Sequence, residues 1–153
     1  MRLVSQSNEG WEYQLNRTEA DILAGLVKQF PVAGLAAAQI SKAGKEPETA
    51  EREKMLNESL AEHRKELTKL AVNLLAEEKW KRSEKGHLLT LDSHSREILL
   101  QILNDIRVGC WRALGEPEML DAAPPRRSTK AATLRHLMDL AGYFEMNLLE
   151  PEG

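Results

Sequence analysis

The first fifteen residues carry the hydrophobic pattern of a small β-hairpin. Trp11, Tyr13 and Leu15 alternate with polar residues, which is the period of a strand with one buried face. The preceding Asn8-Glu9-Gly10 has turn chemistry, and Arg2-Leu3-Val4 offers a partner strand. The sequence therefore predicts a hairpin over residues 1–15.

Helical spacing begins directly after this hairpin. Asn16 is suited to cap a helix, with Glu19 in the capping-box position. Pro31 disfavours helical geometry at the residue before it, yet proline suits the first position of a new helix. We expect a first helix and a short second helix over residues 17–43. The apolar positions of the first helix are Ile22, Leu23, Leu26, Val27 and Phe30.

The strongest periodic signal lies between residues 49 and 82. Apolar residues and one histidine alternate at spacings of four and three, an a/d seam of about three heptads. Charge pairs such as Glu77 with Lys81 have the i,i+4 spacing of a solvated helix face. The pattern predicts one long charged helix. The seam consists of Leu56, Leu60, His63, Leu67, Leu70 and Leu74.

Two more helices are predicted in the second half of the chain. After a short apolar connector at residues 88–91, Asp92 is a good N-cap for a helix over 93–114, and its wide apolar arc favours a central position. Gly115 suits the C-cap of that helix, a loop follows over 115–128, and a last helix spans 129–149. We expect an all-α fold: a four-main-helix bundle, with the long charged helix and a small N-terminal β-hairpin, in a single domain over residues 1–153.

Composition narrows the classes of function. The 153 residues carry 24 acidic and 21 basic side chains, a net charge of −3, which disfavours a general electrostatic grip on nucleic acid or anionic membranes. The single Cys110 excludes an internal disulfide, and no secretory leader or membrane span is evident. We therefore expect a cytoplasmic protein with no membrane association.

The run Leu103-Asn104-Asp105-Ile106-Arg107-Val108-Gly109 resembles the signature L-N-D-x-R-L-x-L-G-x-R-L of a small bacterial family catalogued as a domain of unknown function. The resemblance extends to the hairpin, the early Glu19, the charge-rich middle and the final amphipathic helix. Trp111 departs from the pattern, since it stands where the family has a smaller residue. The family has no assigned activity. In actinobacterial members the gene often lies beside that of an adaptor for the Clp protease, which implies a weak link to protein turnover.

Polar residues on the predicted central helix are the first candidates for a site. Asn104, Asp105 and Arg107 need partners if that helix is largely buried, and Trp111 is an i,i+4 neighbour of Arg107, within reach of a cation–π contact. One interpretation is a patch that contacts a ligand or a protein partner. The other is an internal network that docks this helix on its neighbours.

Other chemistries have weaker signals. Glu84 and His87 have the Glu-x-x-His spacing of di-metal bundles, but only once and across Gly86, so we expect no metal and no cofactor. Cys110 falls on an apolar helical stripe, which favours a packed thiol over a nucleophile. No nucleophile elbow, phosphate loop or dinucleotide glycine pattern appears, so we expect no catalytic residues and no enzymatic activity.

The remaining hypotheses concern partners. We expect a protein-interaction module that acts as a regulator or adaptor and forms a homodimer through the projecting part of the long helix. The flanks of the seam carry Glu62, Lys65, Glu66 and Lys69, which could pair across such an interface. A bent long helix in a compact monomer is the alternative to the homodimer. A nucleic-acid-associated regulator is the alternative function, although nucleic acid is the less favoured partner. It would use basic clusters at 79–85 and 126–130, namely Lys79, Lys81, Arg82, Arg126, Arg127 and Lys130.

Overall fold

The computed structural model describes residues 1–30, 47–115 and 129–149. Within them the chain forms four α-helices and one antiparallel sheet with the strand order β1-β2-β4-β3. The strands are β1 (Arg2–Ser7), β2 (Gly10–Leu15), β3 (Trp80–Ser83) and β4 (Gly86–Leu91). The helices are α1 (Arg17–Lys28), α2 (Pro47–Leu74), α3 (Ser93–Ala113) and α4 (Thr129–Leu149), and a 3-10 turn at Glu77–Lys79 links α2 to β3.

The expectation of an all-α bundle is wrong, because a second hairpin forms where a helix end and a connector were predicted. The long helix ends at Leu74 rather than at residue 82. The indole Nε1 of Trp80 donates to the Leu74 carbonyl oxygen at 2.8 Å, which satisfies one acceptor at the helix end. The predicted connector at residues 88–91 is part of β4, a central strand that pairs with β2 and β3. The fold is therefore mixed, with helices and a four-stranded sheet.

The first hairpin and the starts of two helices are confirmed. Asn16 accepts from the backbone N–H of Glu19 at 2.7 Å, and the Glu19 carboxylate accepts from the N–H of Asn16 at 3.0 Å, which completes the capping box. Asp92 accepts from the N–H of Ser95 at 2.7 Å and caps α3. The short helix predicted after Pro31, and the predicted loop beyond Gly115, lie outside the described residues.

The two hairpins are related by an approximate two-fold axis through the centre of the sheet. Adding 76 to the residue numbers of β2 gives the residue numbers of β4. The same shift relates the pair at one end of the β2–β4 ladder, Trp11 with Leu91, to the pair at the other end, Leu15 with His87. The helices that follow repeat the same pattern, since Asp21-Ile22-Leu23 of α1 corresponds to Glu97-Ile98-Leu99 of α3. The described chain thus contains two copies of a strand–strand–helix unit. The shift makes Trp11 equivalent to His87, Tyr13 to Leu89, and Leu15 to Leu91.

Each hairpin turn lies against the end of the other hairpin. Gly10 has φ +142° and Gly86 has φ +133°, a backbone region that other residues rarely adopt. A Cβ atom on Gly10 would lie 2.3 Å from the carbonyl oxygen of Leu91, and one on Gly86 would lie 2.2 Å from that of Leu15. The absence of a side chain at these two positions therefore permits the close approach of the two halves.

The core lies between one face of the sheet and the helices. Residues directly opposite each other in an antiparallel sheet share a face, and the row Tyr13, Leu89, Leu15 and Leu91 is buried. The central helix α3 contacts α1, α2, α4 and β4. Its buried apolar residues are Ile98, Leu99, Ile102, Leu103, Ile106 and Cys110.

Candidate functional site

The four candidate residues on α3 do not form one patch. Asp105 faces α2, where its carboxylate lies 3.5 Å from the guanidinium Nε of Arg64, and Asn104 is exposed on the same side. Arg107 turns towards α4, while Trp111 is half-buried and packs against the core. Two of the four residues therefore belong to the α2–α3 side of the molecule, and the other two do not line the cleft described below.

Arg107 joins α3 to α4 through an ion pair. Its guanidinium Nη1 donates to the Glu145 carboxylate at 2.6 Å, and Glu145 is only 7% exposed. A Cβ atom on Gly142 would lie 3.7 Å from the Arg107 Nε, so the small residue leaves room for the guanidinium beside α4. A charged hydrogen bond between two helices fixes their relative register. This contact is of the internal kind that one interpretation of the α3 signature describes.

A cleft of about 240 Å³ separates α2 from α3. Its walls combine apolar side chains with hydrogen-bonding groups from both helices, and Asp105 and Arg64 form an ion pair across it. Such a mixture gives a partner both an apolar contact and fixed polar contacts. The lining residues that bear polar groups are His63, Arg64, Gln101, Asn104, Asp105 and Arg112.

The first half of α2 carries two exposed apolar residues, Met55 and Leu56. Met55 is 70% exposed and Leu56 is 46% exposed, whereas Leu67, Ala71 and Leu74 of the second half are buried. The seam predicted from the sequence is therefore divided: its C-terminal part belongs to the core and its N-terminal part faces outwards. Exposed apolar residues on a regular helix are a typical interaction surface.

The predicted basic clusters are dispersed by the fold. Lys79 donates from Nζ to the Ser95 hydroxyl at 3.1 Å, beside a cleft between the end of α2 and the start of α3. Lys81 and Arg82 are neighbours on β3 and therefore point to opposite faces of the sheet. Lys130 is exposed on α4, and Arg126 and Arg127 lie outside the described residues. The described basic residues do not form one continuous surface.

A second polar cluster joins β1, α1 and α4. The α-amino group of Met1 and the hydroxyl of Tyr143 both donate to the Glu19 carboxylate, and the amino nitrogen lies 3.0 Å from the Tyr143 oxygen. Burial alone would raise the pKa of Glu19, but these hydrogen bonds and that from Asn16 outweigh it, so this pKa is lowered. The hydrogen bond to Glu19 raises the pKa of Tyr143 to about 12. The cluster therefore stabilises the neutral phenol of Tyr143.

Histidine and cysteine chemistry is also placed by the fold. Glu84 lies in the β3–β4 turn and His87 on β4, so their spacing is not helical. The described residues contain no group of three or more His, Cys, Asp or Glu arranged to hold a metal ion. Cys110 is a buried free thiol, and burial raises its pKa. A protonated, buried thiol is a poor nucleophile.

Two partners of the candidate residues were not expected from the sequence. Glu145 occupies a buried position of α4, where Leu134, Met138, Ala141 and Leu148 mark the spacing of four and three. A single acidic residue on such an apolar stripe was the available signal for a buried ion pair. Arg64 carried no comparable signal, because it follows His63 in a helix rich in both charges.

Comparison with protein-family models, with curated proteins and with solved structures yields no match for this chain. The resemblance of residues 103–109 to the L-N-D-x-R-L signature therefore stays a prediction. In the part of the chain that the structure describes, no helix is both long enough and apolar enough to cross a membrane.

Proposed function

We propose that this protein is a non-enzymatic interaction module whose first partner is a second copy of itself. The observation that carries the proposal is the uncovered apolar surface on the first half of α2, formed by Met55 and Leu56. The Clp-adaptor neighbourhood implied by the resemblance agrees with a regulatory protein that acts through protein contacts. Nucleic acid is less favoured as a partner, because the described basic residues are dispersed over several surfaces.

The sequence of α2 is complementary to itself in an antiparallel pairing. In this pairing Leu56 of one copy lies against Leu60 of the other copy. Arg52 of the first copy, on the flank of the seam, then lies opposite Glu66 of the second copy. The two-fold symmetry of the dimer repeats this charge pair once more. Arg52 and Glu66 are both exposed in the single chain. Opposite charges on the flanks of an apolar seam select the partner and its orientation. The arrangement thus favours a homodimer over an open chain of contacts.

The test is the mass in solution, measured by light scattering over micromolar to submillimolar concentrations. We expect the wild-type chain to have twice its monomer mass of 17.2 kDa, and Leu56→Glu to have the monomer mass. Val72→Glu is the matched control, because Val72 lies on the same helix, is 67% exposed and is outside the proposed interface. Leu60 is less suitable for substitution because it is half-buried beside α3.

A charge exchange tests the orientation of the two copies. Arg52→Glu should weaken the dimer by placing two acidic residues opposite each other, and Arg52→Glu combined with Glu66→Arg should restore it. A wild-type mass of 17.2 kDa at every concentration overturns the proposal. Dimerisation that Val72→Glu abolishes and Leu56→Glu leaves intact would also overturn it, since the interface would then lie elsewhere.

A further inference from the structure

A cleft of about 440 Å³ lies where the β3–β4 turn approaches the start of α1. Three basic side chains line it: Arg17 from α1, Arg82 from β3 and Lys85 from the turn. His87, which pairs with Arg82 across the two strands, forms another part of the wall. Glu84 is the acidic residue among those lining it. The cleft is therefore cationic in a protein whose net charge is −3.

The internal two-fold relation shows how the second half differs from the first. The position of His87 corresponds to Trp11, and that of Ala20 corresponds to Arg96. At the end of the sheet where β2 begins, the guanidinium of Arg96 on α3 stacks 4.8 Å from the centre of the Trp11 ring. At the equivalent end, where β4 begins, the smaller imidazole of His87 and the methyl group of Ala20 on α1 stand at these places, and the cleft lined by His87 opens there. The space between the strand and the helix is thus filled by side chains on one side of the two-fold axis and open on the other side.

The charge of the two places differs as well. The residues that correspond to Arg17, Arg82 and Lys85 are Ser93, Gln6 and Glu9. A residue type that the fold requires should be found at both equivalent positions, so the fold does not require these three cations. They give this end of the sheet a positive charge that the equivalent end lacks.

Two further features of the cleft suit an anion. Its wall includes the first residue of α1, a helix of 12 residues, whose N-terminal N–H groups carry partial positive charge. The carboxylate of Glu19 in the first turn is already bound by the Met1 amino group and the Tyr143 hydroxyl. The Nδ1 atom of His87 is buried and finds no hydrogen-bond partner among the described residues. The imidazole ring is half-buried and lines the cleft.

We propose that this cleft binds the phosphate group of a small molecule of mononucleotide size, with Arg17, Arg82 and Lys85 as its cationic ligands. The volume lies within the range of small-molecule sites. A nucleic-acid strand is the less suitable occupant, because Lys81 points to the opposite face of the sheet and Lys79 lines another cleft. The proposal does not rest on the self-association proposed above.

Titration of the full chain with AMP tests the site, with amide chemical shifts as the readout. We expect saturable shifts at Lys85, Gly86 and His87, competition by inorganic phosphate, and no binding of adenosine, which lacks the phosphate. Arg82→Gln and Lys85→Gln should each weaken AMP binding about tenfold, the loss of one charged hydrogen bond. Lys81→Gln is the matched control, because it removes the same charge from the same strand on the other face, and it should change affinity less than twofold.

One further variant separates the shape of the cleft from its charge. His87→Trp places in the second half the ring found in the first, and it keeps all three cations. We expect it to abolish AMP binding while the shifts of the remaining sheet amides stay close to those of the wild type. Absence of AMP binding overturns the proposal, as does equal weakening by Lys81→Gln. Tighter binding of an unphosphorylated oligonucleotide than of AMP also overturns it, in favour of a nucleic-acid surface.

Discussion

Two tyrosines of this protein place the same hydroxyl group in opposite surroundings. The ring of Tyr13 is fully buried in the sheet–helix core, and its hydroxyl finds no hydrogen-bond partner among the described residues. The hydroxyl of Tyr143 is partly exposed and bound by Met1 and Glu19. A buried polar group without a partner loses its hydration and regains nothing, whereas a paired one is compensated.

Replacement by phenylalanine should therefore have opposite effects at the two positions. Tyr13→Phe should leave the free energy of unfolding unchanged or raise it by up to about 1 kcal/mol, since it removes an uncompensated hydroxyl. Tyr143→Phe should lower it by about 0.5–1.5 kcal/mol, the usual contribution of a hydrogen bond. Urea unfolding at pH 7 measures both. A loss of stability in Tyr13→Phe larger than that in Tyr143→Phe would contradict this account.

The cap of α3 should make part of the stability depend on acid. The hydrogen bonds from the backbone N–H and the hydroxyl of Ser95 lower the pKa of Asp92 from its usual 3.8. Because the folded pKa lies below the unfolded one, the cap's ionic contribution is present above pH 3.8 and is lost as pH falls through the folded value.

Two substitutions separate the charge of this cap from its geometry. Asp92→Asn should keep most of the stability at pH 7, because asparagine also caps helices. It should lessen the loss of stability between about pH 4 and pH 2, because asparagine does not ionise. Asp92→Ala should cost about 1 kcal/mol at pH 7. The measurement is the free energy of unfolding against pH. Parallel curves for the wild type and Asp92→Asn would show that the pKa of Asp92 does not change on folding.

The packing of the two hairpins depends on one glycine in each hairpin turn, because each glycine lies against the end of a strand of the other hairpin. Gly10→Ala and Gly86→Ala should each lower stability by about 2 kcal/mol or more, because a Cβ atom meets a backbone carbonyl and φ is unfavourable. Gly25→Ala is the control within helix α1. It meets no atom within 4 Å and should stabilise the protein by about 0.5–1 kcal/mol. Thermal unfolding followed by circular dichroism would reveal both signs.

Two ion pairs among the described residues attach α3 to α2 and to α4. A double-mutant cycle on Arg107 and Glu145 should give a coupling of about 1 kcal/mol or more, because Glu145 is buried and its bond is short. The pair of Arg64 with Asp105 has a longer distance of 3.5 Å, and its carboxylate is more exposed than that of Glu145, so it should give less than about 0.5 kcal/mol. Equal coupling in the two cycles would mean that burial does not decide the strength of these pairs.

At the scale of the whole molecule, stability should be unevenly distributed. The amides of β2, β4 and α3 lie in the shared core and should exchange with solvent only by global unfolding. Those of the first half of α2, around Met55, should exchange by local opening at lower free energy. Native-state hydrogen exchange in increasing denaturant distinguishes the two groups. Coincident exchange of both would indicate that α2 is held along its whole length.

The prediction of an all-α fold was wrong because of residues 75–91, which form the second hairpin. Glu77 and Lys81 keep the spacing of a helical charge pair, so the charge pattern does not mark Leu74 as the helix end. Consecutive leucines at 88 and 89 obscure the alternation of β4. The signal that would have shown the second hairpin is the repeat of Ser7-x-x-Gly10 as Ser83-x-x-Gly86, each followed by a helix N-cap.

The features that the sequence did predict are local. Asn16 and Asp92 cap helices through contacts within four residues, and the alternation in β2 spans only six, so neighbouring residues determine both. The partners of the signature residues are not local. Whether Arg107 reaches α2 or α4 depends on which helices flank α3, and no spacing within α3 contains that information.

The central pairing of the sheet joins β2 with β4, whose equivalent residues are 76 positions apart in the chain. Because of this separation, β2 is synthesised well before β4. A hairpin forms in microseconds, but at 5–20 residues per second β4 leaves the ribosome about 4–15 s after β2. During that interval the first hairpin presents an unpaired strand edge. Neighbouring nascent chains carry the same edge, and each can accept β4 from the other in the native register. Closely spaced ribosomes on one message would therefore favour the exchange of β4 between neighbouring chains.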